Sequence, residues 1–287
     1  MSSRSTRRSI LAGSWYAGSR DSLMGQIEEL FRGPLGPSQL PKLGDTNENL
    51  IGVMSPHAGY MYSGQAAAKA YFEVSRHGPR EVVVLMGPNH QGAGSPIAIS
   101  PSERWSTPLG DVELDLELAK EISKDSGVAD LDATAHSSEH SLEIQLPFLQ
   151  YIFQGHPFKI VPISIWLYDL KTSIELGSSI ARCLSGRNAL LVASSDMTHY
   201  MPAEVASDRD RRTLDAVCKL DEKQTYDVSS RLESLCGLGP VISCMSAAKA
   251  MGASVGEVLT YYNSGDITGD NSAVVGYAAV AFKRRRQ

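Results

Sequence analysis

A chain of 287 residues, 42% hydrophobic and 21% charged with no biased stretch, carries enough apolar material for one packed core and too little bias for disorder. Its net charge of −5 argues against a nucleic-acid partner. The basic residues are scattered apart from Arg4 to Arg8 and Lys283 to Arg286, which read as solvated ends, with residues 1–12 and 283–287 as flexible tails.

The N-terminal Ile10-Leu11-Ala12 runs straight into Gly13-Ser-Trp-Tyr16, too short an apolar stretch for a secretory signal. A helix is expected from about Asp21 to Phe31, followed by a Gly/Pro-rich surface loop from Gly33 to Gly44. Strand-like runs and helical patterns then alternate. Leu50 to Met54 reads as a strand, Gln65 to Ser75 as a helix, Glu81 to Met86 as a strand, and Leu114 to Lys124 and His140 to Phe153 as helices. Phe158 to Ile165 and Ala189 to Ala193 are strands on either side of a helix from Lys171 to Leu184. Helices from Ala203 to Leu220 and Val241 to Ala250 precede strands Val258 to Asn263 and Val274 to Phe282. The pattern predicts one α/β domain over residues 1–287, with a mostly parallel or mixed central sheet flanked by helices. The longest apolar runs are strand-sized, so no membrane span is expected. Four cysteines without CxxC spacing fit a reducing, cytoplasmic compartment.

Three of these strands run directly into a histidine. They read Met54-Ser-Pro-His57, Met86-Gly-Pro-Asn-His90 and Ala193-Ser-Ser-Asp196-Met-Thr-His199. In a parallel sheet the loops after the carboxyl ends of the strands converge on the ligand crevice, so all three histidines are expected at one edge. Each alone reads as a hydrogen-bonded surface histidine; together they point to a metal site. A carboxylate near an imidazole fixes its tautomer and raises its basicity, so Asp196 reads either as support for His199 or as a backbone cap.

The densest polar cluster is His136-Ser-Ser-Glu139-His140-Ser-Leu-Glu143. It contains H-x-x-E-H, a zinc-peptidase pattern. Its position at a helix start and Pro147 shortly after argue against one rigid helix through it. Cys236 stands in a Gly/Pro turn before the helix at Val241, where the helix N-terminus is expected to lower a thiol pKa; burial and reactivity stay equally open. No G-x-G-x-x-G, P-loop or G-x-S-x-G pattern supports a nucleotide or serine-hydrolase site.

Gly13-Ser-Trp-Tyr16, Pro56-His-Ala-Gly-Tyr60, Gly87-Pro-Asn-His90, Thr107-Pro-Leu-Gly110, Glu139-His-Ser-Leu-Glu-Ile-Gln-Leu-Pro-Phe148, Ser194-Ser-Asp-Met-Thr-His199 and Cys236-Gly-Leu-Gly-Pro240 occur in this order. Together they resemble the Memo family from about Gly13 to Phe282. The resemblance implies a fold similar to the catalytic subunit of class III extradiol ring-cleaving dioxygenases, and a divalent metal, Fe(II) first, with copper or zinc as alternatives. It implies His57, His90 and Cys236 as metal ligands, with Cys236 where the dioxygenases use a glutamate. His199 matches their acid/base histidine, with Asp196 and His140 as further catalytic candidates. Glu139, Glu143 and Tyr60 are expected to bind substrate. A thiolate favours softer ions beside iron and is itself oxidisable. The readings are a metal-dependent redox enzyme acting on a small molecule, a binding module taking a phosphopeptide in the same cleft, and the zinc peptidase. The resemblance also implies radical-SAM and AMMECR-type partner proteins.

Overall fold

The structure, a computed structural model, describes residues 5–47 and 49–285. The expected tails at residues 1–4 and 286–287 lie outside the described residues. Among those described, the elements run β1 (Thr6–Arg7), α1 (Arg20–Arg32), β2 (Leu50–Ser55), α2 (Tyr60–Ser75), β3 (Val82–Pro88), β4 (Ile97–Ile99), β5 (Arg104–Thr107), β6 (Gly110–Leu114), α3 (Leu116–Ser126) and β7 (Asp130–Leu131). There follow α4 (Leu146–Ile152), β8 (Lys159–Ile165), α5 (Leu170–Cys183), β9 (Ala189–Ser194), β10 (His199–Met201), α6 (Ala203–Cys218), α7 (Glu222–Leu232), α8 (Leu238–Ala250), β11 (Val255–Asn263), α9 (Gly265–Thr268) and β12 (Val274–Lys283).

The strands form one mixed sheet in the order β1-β5-β6-β8-β3-β9-β2-β12-β10, with β11 on β12 and β4 on β8. Its centre, β8-β3-β9-β2, is parallel, and β12 closes it antiparallel to β2. Successive side chains of a strand face opposite sides of the sheet, which divides the core in two. Val82, Val84, Met86, Leu191, Ala193 and Val280 pack with α3, α5 and α8; Val83, Leu85, Leu190, Val192 and Ala279 pack with α1, α2 and α4. Strands buried on both faces are apolar throughout, which is why they are legible as continuous runs.

Register sets the site. Met54 and Met86 both pair with Ala193 of the intervening strand β9. The three central strands therefore end at one level, and the loops carrying His57, His90 and His199 leave the same edge together.

The expected helix from His140 to Phe153 is interrupted. A 3-10 turn at Glu143–Gln145 leads into α4, whose first turn holds Pro147, where its missing N–H costs nothing. Helix α7 was not expected, because it buries only Thr225 and Ser229 and so shows no apolar stripe. Asp221 starts it, accepting from Gln224 N at 2.8 Å.

Residues 5–12 are not a flexible tail. Strand β1 pairs with β5, and Arg7 is 9% exposed. Arg7 ion-pairs Glu143 and donates to Glu139 O at 2.7 Å and His136 O at 2.9 Å. Nor is Lys283 loose: it ends β12, 2.7 Å from both Glu73 and Glu257. No helix among the described residues is long and apolar enough to cross a membrane.

Candidate metal centre

His57, with a 2% exposed ring, donates its backbone N–H to Asp196 Oδ1 at 2.7 Å. Its Nδ1 lies 3.0 Å from Ser194 Oγ. That hydroxyl spends its single proton on Ser141 O at 2.6 Å. Toward His57 it can only accept, so Nδ1 carries the proton and Nε2 keeps its lone pair. Burial, reinforced by the neighbouring imidazoles His90, His140 and His199, holds the His57 pKa well below its usual range. The ring is a neutral donor, and its Nε2 lies 3.2 Å from Cys236 Sγ.

His90 is prepared in the same way by another residue. Glu139, 1% exposed, accepts from His90 N at 2.6 Å, His90 Nδ1 at 3.0 Å, His140 N at 2.9 Å and Ser141 N at 2.8 Å. Burial alone would raise its pKa, but the bonds from His90 and Ser141 win and hold it at about 2. The ionised carboxylate draws the Nδ1 proton of His90 and leaves Nε2 free, the arrangement by which carboxylates orient metal-binding imidazoles. His140 stacks on His90 with ring centroids 4.5 Å apart, and burial lowers its pKa to about 4.

Cys236 enters from the loop before α8. Gly237 makes this approach feasible, since a Cβ there would stand 2.6 Å from Ser194 O and 2.9 Å from Ser195 Cβ. Cys236 Sγ accepts from Asp196 N at 3.2 Å. The expected lowering of its pKa is not found: burial pushes the thiol up and the Asp196 carboxylate adds to that. Desolvation outweighs a helix N-terminus that begins only at Leu238.

His57, His90 and Cys236 place one donor atom each within 4.8 Å of one another. Two imidazole nitrogens and a sulfur suit iron(II), copper or zinc, so the residues present fit a transition-metal ion. His90, Glu139 and His140 are also within that spacing, but Glu139 is already occupied by its four donors.

Above His57 and His90 lies a cavity of about 600 Å³ whose walls include Trp15, Met61, Tyr62, His140, His199 and Tyr277. Nε2 of His199 is buried with no hydrogen-bond partner, and burial, with the neighbouring His90 imidazole adding to it, lowers its pKa. Beside it Tyr200, 77% exposed, takes a left-handed φ of 57° at a bulge in the β10–β12 pairing. Among the described residues no Arg or Lys lines this cavity.

A family model described as "Memo-like protein" matches residues 7–281. The chain belongs to the Memo family. It is 44% identical over 281 residues to a MEMO1 family protein of Methanopyrus kandleri, covering 97% of this chain and 99% of the relative. It is 42% identical over 275 residues to one from Methanothermobacter thermautotrophicus, covering 95% and 98%, and 39% identical over 277 residues to one from Nitrosopumilus maritimus, covering 96% and 99%. An uncharacterized protein from Escherichia coli K12 shares the fold alone, with a TM-score of 0.55 at 12% identity over 81% of this chain and 99% of that one.

In this Memo chain the other candidate residues take the following places. Asp196 does not pair with His199; it receives the backbone N–H of His57, and its Oδ2 lies 4.0 Å from His57 Nε2. Burial raises its carboxyl to about 7. Glu143 and Tyr60 do not line the cavity. Glu143 anchors Arg7, Ile10 N, Leu11 N and Tyr16 Oη, and Tyr60 Oη donates to Ile144 O at 2.9 Å. Glu139 is likewise absent from the wall and serves the two imidazoles instead. The H-x-x-E-H pattern forms no ligand set: His136 sits on a 3-10 turn with Nε2 on Ala98 O at 3.1 Å and its ring edge-on to Trp105. Sequence reasoning missed Trp15 and Tyr200 as cavity walls; Trp15, in the Gly13-Ser-Trp-Tyr16 motif, packs on His140 with centroids 4.7 Å apart.

Proposed function

We propose that this Memo-family protein is a metal-dependent redox enzyme related to the extradiol dioxygenases, acting on a small organic molecule in the reducing environment of the cytoplasm. The observation that carries the reading is the pair of imidazoles whose Nδ1–H groups donate to Ser194 and Glu139, leaving two Nε2 lone pairs grouped with Cys236 Sγ. When bound there, iron(II) or copper supplies electron transfer and Lewis acidity. The protein's own part is positioning and proton handling. His199, on the cavity wall with its pKa depressed, is neutral near pH 7 and accepts a proton from a substrate hydroxyl, returning it later. Trp15, Met61 and Tyr277 wall the space above the imidazole donors with largely apolar surface.

Elemental analysis of anaerobically purified protein tests the reading. Near-stoichiometric iron or copper, lost in His57→Ala and Cys236→Ala and retained in His136→Ala, is the expected result. Full metal content in the first two variants would overturn it.

A further inference from the structure

We propose that a second cavity, adjoining the metal cavity, binds a small molecule with an oxyanion head and an aromatic or apolar body. This cavity has a volume of about 700 Å³. His199 and Tyr200 line both spaces, whereas Cys236 lines only the second.

Its polar end is built from α6 and α7. Arg209 Nη1 donates to Leu232 O at 2.8 Å, which anchors the guanidinium and leaves its other N–H groups free for a ligand. Among the described residues no carboxylate lies within ion-pair reach of Arg209, and the one acidic residue of the wall, Glu233, is exposed at its rim. Ser229 lines the same cavity, is 2% exposed, and its Oγ has no hydrogen-bond partner. A buried hydroxyl left unpaired is costly, so a wall that holds one together with a guanidinium whose remaining N–H groups are free favours an acceptor. A carboxylate or phosphate fits both, because its oxygens match the planar fork of an arginine and accept from a serine.

The rest of the wall sets the body of the ligand. Tyr168, Tyr226, Met197 and Leu238 offer aromatic and apolar surface, and the floor is Cys236. A molecule held by its oxyanion at Arg209 lies against that thiol and against the unpartnered imidazole of His199. The proposal does not rest on the metal reading, since none of the groups that define the polar end is a metal donor.

Isothermal titration of the metal-free full-length chain with phenyl phosphate, phenylacetate and the neutral 2-phenylethanol tests it. Saturable binding of either acid, without binding of the alcohol, is expected. Arg209→Gln weakens that binding by about tenfold or more, as loss of a charged hydrogen bond requires, and Arg209→Lys recovers part of it. Ser229→Ala, which leaves the fold's packing intact, weakens it several-fold, and Lys120→Ala, on the exposed face of α3, leaves it unchanged. Failure of both acids to bind, equal binding of the alcohol, unchanged binding in both Arg209→Gln and Ser229→Ala, or a loss in Lys120→Ala equal to that in Arg209→Gln would overturn the proposal.

Discussion

Replacing Glu143 by Ala probes how the N-terminal segment is held against the metal centre. The carboxylate is 1% exposed and faces Arg7, itself 9% exposed. It also accepts from Ile10 N at 3.0 Å, Leu11 N at 3.0 Å and Tyr16 Oη at 2.7 Å. Removing it leaves a buried guanidinium without its counter-charge, a loss of about 3–5 kcal/mol. At about 2–4 °C per kcal/mol for a chain of this size, the melting temperature falls by on the order of 10 °C. Replacing both partners by apolar residues of similar volume is far less damaging than stranding one. Arg7→Met combined with Glu143→Met should therefore melt well above Glu143→Ala, while an exposed pair gives a baseline: Lys120→Ala, which breaks contact with Glu117, shifts stability by less than about 0.5 kcal/mol. Differential scanning calorimetry at one scan rate checks all three. A fall of only a degree or two in Glu143→Ala, or a double variant no better than the single, would refute the buried-pair argument.

Gly237→Ala sets a Cβ against Ser194 O and Ser195 Cβ, neither of which can retreat from strand β9 and its exit. The expected cost is about 1–3 kcal/mol, with reduced metal retention because the turn carrying Cys236 shifts; wild-type stability and metal content together would disprove the close-approach role. A pH dependence is expected at the far end of the sheet. The His77 hydrogen bond holds the Glu73 carboxyl down at about 2 against burial, with Lys283 adding to the effect, from an ordinary 4.5. A carboxylate whose folded pKa is depressed stabilises the protein above its unfolded value and loses that contribution as pH falls through the folded one. The melting difference between wild type and Glu73→Gln should thus be full above about pH 4.5 and shrink toward about pH 2. A difference that stays constant across that window would exclude the linkage.

Much of this molecule is legible along the chain. Strands buried on both faces must be apolar throughout, so β2, β3, β8 and β9 announce themselves. Their carboxyl ends then locate His57, His90 and His199 at one edge by topology alone. Cys236 stands apart from the other cysteines because a Gly/Pro turn precedes a helix. Local signals cannot show what a side chain meets across the sheet. Arg7 lies in what composition reads as a basic tail, yet it is buried against Glu143, 136 positions away. The same holds for Glu139, whose carboxylate meets His90 across the sheet edge, and for Cys236, whose thiol is raised by desolvation although a helix start follows it. The tautomer of His57 depends on Ser194, 137 positions on, and its distance to Cys236 spans 179. Periodicity and turn chemistry act over a few residues, and so they determine which elements form. Proton placement, desolvation and the grouping of donors depend on distances of a few ångströms between residues far apart in sequence, and only the packed sheet decides those.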